Sequence, residues 1–548
     1  MMIIQKRALA IVICVGFTLL LTVLVIAPTK IFSATNTIIV NSLDDEGGSC
    51  SSKKCTLRQA INDASSGETI NFDADILPGT IVISDTLGEL TIDKDLTIHN
   101  NNKFDLTISG NRATRIFHVA YNYSLTLENI IFTEGWSYGG AIWNEQGYVS
   151  VENCRFEANG STSASSGPIY NQLGTLEIDR SVFFENEGNY GGAIENSGIM
   201  TITNTTFEDN TAGSYGGAIH NTLGSIYDME LTIENSTFTG NESLGLGGSA
   251  IFSQSHGGVN ITNSTFYQNV ASGDGGTIYQ ASANQGDEYL SIIHSTIAEN
   301  YASTSSYSAG VVSLGYLKII NSILANNDII GSTDVDCYWN LGGSGIFIHN
   351  LIMNNASGDY ACGTPIETSG PGLLGLANNG GVTYTMALVS TSPAIDVGHA
   401  DHCPPTDQRG FPRPQGAGCD LGAYELDSFP FVLSIETADP NPTDEAYVDF
   451  TVTFNEAVTG VDETDFSPTI DGLTVANITE VVGMDDQYTV TVYTRGTGTL
   501  RLDLDDDNTI EDATSNPLGG AGIGDGDFDG GEVYILRYNF IYLPLILK

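Results

Sequence analysis

Three places in the chain carry the same four residues: Gly139-Gly140-Ala141-Ile142, Gly191-Gly192-Ala193-Ile194 and Gly216-Gly217-Ala218-Ile219. Looser copies stand at Gly167-Pro168-Ile169, Gly248-Ser249-Ala250-Ile251, Gly275-Gly276-Thr277-Ile278 and Gly310-Val311-Val312. A second pattern alternates with the first: an aliphatic residue, an Asn, a small residue, an aromatic and a further Asn. Its clearest forms are Ile202-Thr-Asn204-Thr-Thr-Phe207 with Asn210, Ile233-Glu-Asn235-Ser-Thr-Phe238 with Asn241, and Ile261-Thr-Asn263-Ser-Thr-Phe266 with Asn269. The apolar knobs Phe132, Phe156, Phe183, Phe207, Phe238, Phe266, Ile297 and Leu324 are 24 to 31 residues apart. Within a copy the apolar residues alternate, as Leu231 and Ile233 do, which is the period of a strand and not of a helix. A unit this short cannot bury its own inner face, so it must stack on its neighbours. The expected fold is all-β: a right-handed parallel β-helix with coils about 4.8 Å apart.

Stacking places equivalent residues in columns. The column Asn129, Asn153, Asn204, Asn235, Asn263 and Asn321 is expected to form an amide ladder between coils, interrupted by Arg180 and His294; individually capped turns are the alternative. Several of these Asn residues sit in N-x-S/T sequons, read here as turn chemistry and not as glycosylation sites. If the Ile of each Gly-Gly-Ala-Ile copy points inward, the next residue points outward. That rule gives Trp143, Tyr170, Glu195, His220, Phe252 and Tyr279. Flat aromatic faces at coil spacing suit stacking against sugar rings. Trp143, Tyr170, His220, Phe252 and Tyr279 are therefore the candidate glycan-binding residues, against the alternative that loops cover them or the rings stack on one another.

The ends read differently. Residues 1–34 hold Lys6 and Arg7 before a long apolar run, either a cleaved signal peptide or an uncleaved anchor. Residues 35–75 form an N-terminal cap, in which Thr56–Ala64 is amphipathic, with Thr56 and Gln59 placed as a capping box. Coils fill residues 76–330, and further coils and a closing segment fill residues 331–427. Cleanly alternating strands at Val448–Phe454 and Tyr488–Tyr493 mark a β-sandwich over residues 428–538, and an apolar tail occupies 539–548. Apart from Cys14 and Cys154, the cysteines fall in close pairs: Cys50 and Cys55, Cys337 and Cys362, Cys403 and Cys419. In an exported chain these read as local disulfide staples, because no pair has a C-x-x-C spacing or nearby histidines at ligand spacing.

The stretch Cys55-Thr-Leu-Arg-Gln-Ala-Ile61 resembles the CSLREA motif of secreted bacterial β-helix proteins. Asp407-Gln-Arg-Gly410, Pro412-Arg-Pro414, Cys419-Asp and Gly422-Ala-Tyr-Glu425 resemble the closing segment of choice-of-anchor Q surface proteins. The alternating repeats are similar to those of polymorphic outer membrane proteins. Phe450-Thr-Val-Thr-Phe-Asn-Glu-Ala-Val458 and Asn516-Pro-Leu-Gly-Gly520 resemble bacterial Ig-like modules. The resemblance implies a bacterial surface or secreted protein, built as a pectin-lyase-like solenoid with an N-terminal capping helix and followed by an Ig-like β-sandwich.

The net charge of −47 excludes nucleic acid as a partner, since phosphate contacts need Lys and Arg. Between Ile116 and Ile330 there are three basic residues and 21 acidic ones, a poor supply of cations for a lyase. Glu208 and Asp209 with Glu234 are the best paired-carboxylate candidates for glycoside cleavage. Asp396, His399, Asp401, His402, Asp407 and Arg409 form a second ionisable concentration, read as a salt-bridged structural cap closing the far end of the solenoid, with a catalytic or metal constellation as the alternative. In the sandwich, Asp525, Asp527 and Asp529 open like a calcium loop, but Leu536 stands where its twelfth-position acid belongs. Asp503, Asp505 and Asp507 form a second acidic run. Calcium at these aspartates is the one cofactor expectation. The favoured role is adhesive or structural at the cell surface or outside the cell, with glycans or other surface components as partners and the membrane reached only through the leader. The alternative is a polysaccharide lyase or glycoside hydrolase of the pectin-lyase-like superfamily.

Overall fold

A computed structural model describes residues 37–537, except 52, 103–104, 161–165, 223–229, 255–256, 274, 282–288, 304–306, 341–344, 427–428, 513–515, 520–523 and 525. The leader, the apolar C-terminal tail and Asp525 thus lie outside the described residues. None of the described helices is long and apolar enough to cross a membrane.

Each coil lays down one short strand in each of three long parallel sheets. Sheet A has 12 described strands, from Thr37–Val40 to Ile346–Ile348. Sheet B has 11, from Gly79–Val82 to Leu351–Ile352, and sheet C has ten, from Leu90–Ile92 to Cys337–Trp339. A shorter fourth sheet of six strands, from Glu187–Tyr190 to Asp328–Ile329, lies between B and C along the chain. The repeat sets the register: Ile142, Ile169, Ile194, Ile219, Ile251 and Ile278 pair coil by coil in sheet C and are fully buried. The first glycine of each Gly-Gly-Ala-Ile has a steric reason. At Gly216, with φ +63°, a Cβ would sit 2.1 Å from the Ile219 carbonyl oxygen, and the left-handed backbone favours glycine.

The interior is a column of rings. Phe132, Phe156, Phe183, Phe207, Phe238 and Phe266 stack with centroids 4.6–4.9 Å apart, and each is fully buried. The coil spacing forces this offset stack, and the rings add dispersion to their burial.

The Asn columns differ from the expected arrangement. Asn129, Asn153, Asn204, Asn235, Asn263 and Asn321 form no continuous ladder: Asn153 donates to Asn129 at 2.7 Å, but Asn204, Asn263 and Asn321 turn to Asp179, the Thr406 carbonyl and His294. They occupy a left-handed turn between sheets A and B, with φ between 45° and 58°. Arg180, His294 and His349 take the same conformation in the same column. Asn tolerates that region better than most residues, so the column records a backbone bend, and its side chains find varied partners. The ladder lies one turn later, in the second Asn of each motif. There Asn159, Asn186, Asn210, Asn241, Asn269, Asn300 and Asn327 each donate Nδ2 to the next Oδ1 at 2.8–3.1 Å. Asp336 accepts the last of these bonds. A second ladder joins Asn144, Asn171, Asn196 and Asn221 at 2.7–2.8 Å. A third series runs through hydroxyls, from the backbone N–H of Cys154 to Ser181 and on through Thr205, Ser236, Ser264, Ser295 and Ser322. Cys154 occupies a hydroxyl position in this series, and burial pushes its thiol up to about 12.

The N-terminal end is closed by helix α1 (Leu57–Asp63), with the expected Thr56–Gln59 capping box. All three expected cysteine pairs are disulfides: Cys50 with Cys55, Cys337 with Cys362, and Cys403 with Cys419. The middle pair is part of the solenoid core. Cys337 and Cys362 are both buried and belong to the same apolar core as the ring column. Cys337 lies in the last strand of sheet C, and Cys362 arrives from the irregular turn after it, beyond the last coil of that sheet. Cys362 therefore packs under the end of the solenoid as an apolar core residue as well as closing a crosslink, and it presents nothing to solvent. Cys55 and Cys419 are likewise buried.

The closing segment does not sit on the end of the stack. It runs back along the outer face of sheet B, where the outward column is Thr237, Thr265, Thr296 and Ile323. Thr237 donates to the Tyr384 carbonyl at 2.6 Å, and Thr265 to the Gln408 side chain at 2.6 Å. Thr296 accepts from the Ala423 N–H at 3.0 Å. This lateral strap is held internally by Arg409–Asp407 and Arg413–Glu425 ion pairs, each 2.8 Å long and withdrawn from water. The Arg409 guanidinium also lies over the rings of Phe411, Tyr424 and Phe431.

From Phe431 the chain is antiparallel. A four-stranded sheet (Val432–Thr437, Tyr447–Phe454, Gln487–Arg495, Val475–Met484) faces a three-stranded one (Phe466–Asp471, Gly498–Leu504, Val533–Leu536). Phe450, Phe454, Val490, Val492, Leu500 and Leu502 lie in the core they share. Two packed antiparallel sheets are the arrangement expected of an Ig-like sandwich.

Candidate functional site

The outward column of sheet C has the expected register. His118, Trp143, Tyr170, Glu195, His220, Phe252, Tyr279, Val312 and Tyr338 pair in succession. Exposure divides it in two. His220, Phe252 and Tyr279 are 5, 4 and 7% exposed, so three of the five candidate glycan residues face other side chains and not solvent. Tyr190 and Tyr215, from the adjoining short sheet, lay their rings against His220 at 5.5 and 5.6 Å, and Tyr215 lies 4.5 Å from Phe252. Tyr307, Leu314 and Tyr338 complete the cover over Tyr279 and Val312. Tyr190 and Tyr215 each stand immediately before a Gly-Gly-Ala-Ile copy, as Tyr138 does, so this part of the cover recurs with the repeat, whereas Tyr307 comes from an irregular turn.

Trp143 and Tyr170 remain half-buried on adjacent coils. The half-exposed Tyr138 ring lies 6.2 Å from that of Tyr170. One face of Trp143 is occupied by His118, stacked at 4.2 Å with 8° between planes, and the Arg115 guanidinium lies 4.8 Å from the Trp143 centroid. The indole N–H donates to Gln172 at 3.0 Å, which fixes the ring. Glu89 holds Arg115 at 2.5 Å and His118 Nδ1 at 3.3 Å, and Glu145 holds His118 Nε2 at 3.0 Å. Sequence reasoning named neither Glu89, Arg115 nor His118. The coil of Phe117-His118-Val119 lacks the Gly-Gly-Ala signature, so only its pairing in space places it beside Trp143.

Glu195 follows Tyr170 in the column. Its Oε2 is buried without a partner, and desolvation pushes the carboxyl up to about 7. Neither ring nitrogen of the neighbouring His220 has a partner, and burial depresses that imidazole to about 4. His220 is therefore neutral at pH 7 and leaves the Glu195 charge uncompensated.

The other candidates are placed as follows. Glu208 and Asp209 lie at the outer end of a sheet B strand, whereas Glu234 ends a sheet A strand in register with Thr203, so the three are not brought to one face. Asp407 and Arg409 are the buried pair of the strap. His399 and His402 lie 5.4 Å apart, with His399 also 5.0 Å from His349. In the sandwich, Asp503 is tied to Arg501 at 2.6 Å and accepts from Thr469. Asp507 accepts from Thr509. Asp527 accepts from the Asp506 N–H, and Asp506, a residue the sequence pattern did not single out, accepts from Asn508 and Gly524. Asp505 and Asp529 flank these turns. Among the described residues no group of three or more His, Cys, Asp or Glu is placed to share a metal ion.

Residues 88–249 match the family model described as a right-handed beta helix region. Among curated proteins, the chain is 34% identical over 161 residues (29% of the chain) to metabotropic glutamate receptor-like protein R of Dictyostelium discoideum. It is 28% identical over 170 residues (26% of the chain) to the probable autotransporter YfaL of Escherichia coli. These matches span only 10% and 13% of those relatives. Among solved structures it is similar to pectate lyase Pel9A, with a TM-score of 0.45, 15% identity and coverage of 72% of this chain and 98% of that one. It is also similar to a rhamnogalacturonan lyase, with a TM-score of 0.35, 14% identity and coverage of 57% and 87%.

Proposed function

We propose that this is an exported surface solenoid whose open half of sheet C binds carbohydrate, while the remainder of the solenoid is a stalk. The observation that carries the reading is the pair of half-buried rings, Trp143 and Tyr170, held one coil apart beside charged hydrogen-bonding groups. A coil step of about 4.8 Å is close to the length of one hexose unit, so successive sugars of a chain lying along the solenoid axis meet successive rings. The three disulfides and the partial likeness to an autotransporter support a place outside the cytoplasm. The lyase or hydrolase alternative draws less support, because its best carboxylates, Glu208, Asp209 and Glu234, are divided between two sheets.

A glycan array probed with the protein and with its Trp143→Ala and Tyr170→Ala variants tests the reading. Retention by the parent and its loss in both variants is expected; no retention by the parent, or unchanged retention by the variants, overturns it. Calcium at the sandwich aspartates is a separate expectation. Calorimetric titration with Ca2+ checks it, and no heat with an unchanged melting temperature ends it.

A further inference from the structure

The short fourth sheet begins late along the solenoid, and its first edge leaves a step. Its first strand is Glu187–Tyr190, paired with Thr211–Tyr215. Among the described residues, the coil that carries Trp136 adds no strand to it. A cleft of about 610 Å³ opens at the step. Arg112 and Trp136 line it from the coils on the N-terminal side, and Glu185, Glu187, Asp209 and Thr211 from the coils beyond. Trp136 is 37% exposed. No described ring stacks on it and no described group accepts its indole N–H, whereas Trp143 has His118 on one face and Gln172 at its N–H. The backbone beneath Trp136 is fixed all the same. Its N–H donates to the Thr114 carbonyl at 3.0 Å, and the Gly135 N–H donates to Asn159, the first amide of the ladder, at 2.9 Å. Ser137 holds φ +90°, which costs a non-glycine residue free energy. The turn thus presents a flat apolar face to solvent on a backbone already ordered, the condition for stacking a sugar at little further entropic cost.

The cleft carries both signs of charge, which sets the class of partner. Arg112 is exposed on the Trp136 side, 3.8 Å from Glu134. Glu185 and Asp209 hold the same left-handed bend on adjacent coils, with φ +50° and +53°, and neither they nor Glu187 accepts a hydrogen bond from a described residue. A polyanion meets three carboxylates, and a polycation meets the guanidinium beside the ring. A neutral sugar meets neither repulsion: its hydroxyls donate to the carboxylates and accept from the guanidinium.

We propose that the step is a second carbohydrate site, which takes a neutral hexose chain with one pyranose on Trp136 and its hydroxyls on Arg112 and the carboxylates. It is separate from the sheet C rings and does not depend on their binding. One ring with exposed polar groups makes a weak site, released in the washes of an array and read in solution.

The test titrates the full chain with cellohexaose, laminarihexaose and mannohexaose, and with the hexamers of galacturonate and glucosamine, following tryptophan emission and heat. At least one neutral hexamer is expected to bind more tightly than either charged one, to shift the emission, and to depend little on salt. Trp136→Ala should weaken that binding about tenfold, the weight of one aromatic contact, and remove the emission shift. Trp136→Tyr keeps an aromatic face and should restore most of the affinity, while Trp143→Ala should leave it unchanged. Both Trp136 variants should melt with the parent. No binding of any neutral hexamer, equal or tighter binding of a charged one, or affinity kept in Trp136→Ala overturns the site. Affinity kept in Trp136→Ala but lost in Trp143→Ala moves the sugar to sheet C, which overturns this inference and leaves the carbohydrate reading of that face standing.

Discussion

At the N-terminal end of the outward column of sheet C, Trp143 and Tyr170 stand partly in solvent, each beside polar or aromatic neighbours. Three coils beyond Tyr170, Phe252 and then Tyr279 occupy the same register but are 4 and 7% exposed beneath tyrosines from the adjoining turns. The strands, the pairing and the side-chain direction are alike. What differs is the cover: Tyr190 and Tyr215 pack on His220 and Phe252, whereas Tyr138, at the same place before its own Gly-Gly-Ala-Ile, stays half-exposed. The flank follows a similar division, since the strap covers sheet B at Thr237, Thr265 and Thr296. A repeat thus fixes where side chains point, while the packing of neighbouring side chains and the strap decides which of them meet water.

The largest expected contrast is in stability. Phe252→Ala removes a covered ring and leaves a cavity, and should cost about 3–5 kcal/mol in a denaturant melt. Trp143→Ala in the same register should cost less, about 1 kcal/mol, because part of the ring stays in solvent although it stacks on His118 and bonds Gln172. Equal costs would erase the distinction between the halves.

The two halves should also answer pH in opposite directions. His220 is depressed from 6.5 to about 4 by burial. The unfolded chain therefore binds its proton first, and the covered half loses stability as pH falls from about 6.5 to about 4, by about 3 kcal/mol in all. Glu195 is raised from 4.5 to about 7, so its contribution is full below about pH 4.5 and is lost as pH rises through about 7. Melting temperatures across this range for His220→Phe and Glu195→Gln should each flatten one limb of the profile. If either variant leaves its limb unchanged, that group does not titrate as its surroundings dictate.

A smaller effect separates the two Asn columns. Asn241 donates to Asn269 and to the Phe207 carbonyl, and its Oδ1 accepts from Asn210. Asn241→Leu should cost about 1–3 kcal/mol through orphaned partners. Asn235, in the left-handed turn column, should accept Gly within a few tenths of a kcal/mol, because Gly reaches positive φ freely. Thermal melts of the two variants check this.

The strands were legible because alternation and a period of about 25 residues leave a parallel stack as the only way to bury Phe156, Phe183 and Phe207. The helix at Leu57–Asp63 was legible from its cap. The cysteine pairing was legible from spacing, but the burial of Cys362 in the solenoid core was not, because the turn that carries it has no period. The ladder was assigned one turn too early, because Asn204 and Asn210 recur equally often and only backbone conformation separates a bend from a bonded amide. The open face was half legible. Trp143 and Tyr170 follow from register, but Glu89, Arg115 and His118 come from two coils without the glycine signature, and the packing of Tyr190 and Tyr215 onto the column does not follow from their place before Gly-Gly-Ala-Ile, since Tyr138 holds the same place and stays half-exposed. The strap was hidden for a related reason: contacts such as Thr237 with Tyr384 join residues 147 positions apart, and no local pattern encodes them.

The division between an open, binding half and a covered, structural half is tested most directly by measuring glycan retention and melting temperature together on Trp143→Ala and Phe252→Leu. Trp143→Ala should lose retention at a nearly unchanged melting temperature, and Phe252→Leu should keep retention while melting earlier. Retention lost in Phe252→Leu but kept in Trp143→Ala would contradict the assignment of the two halves.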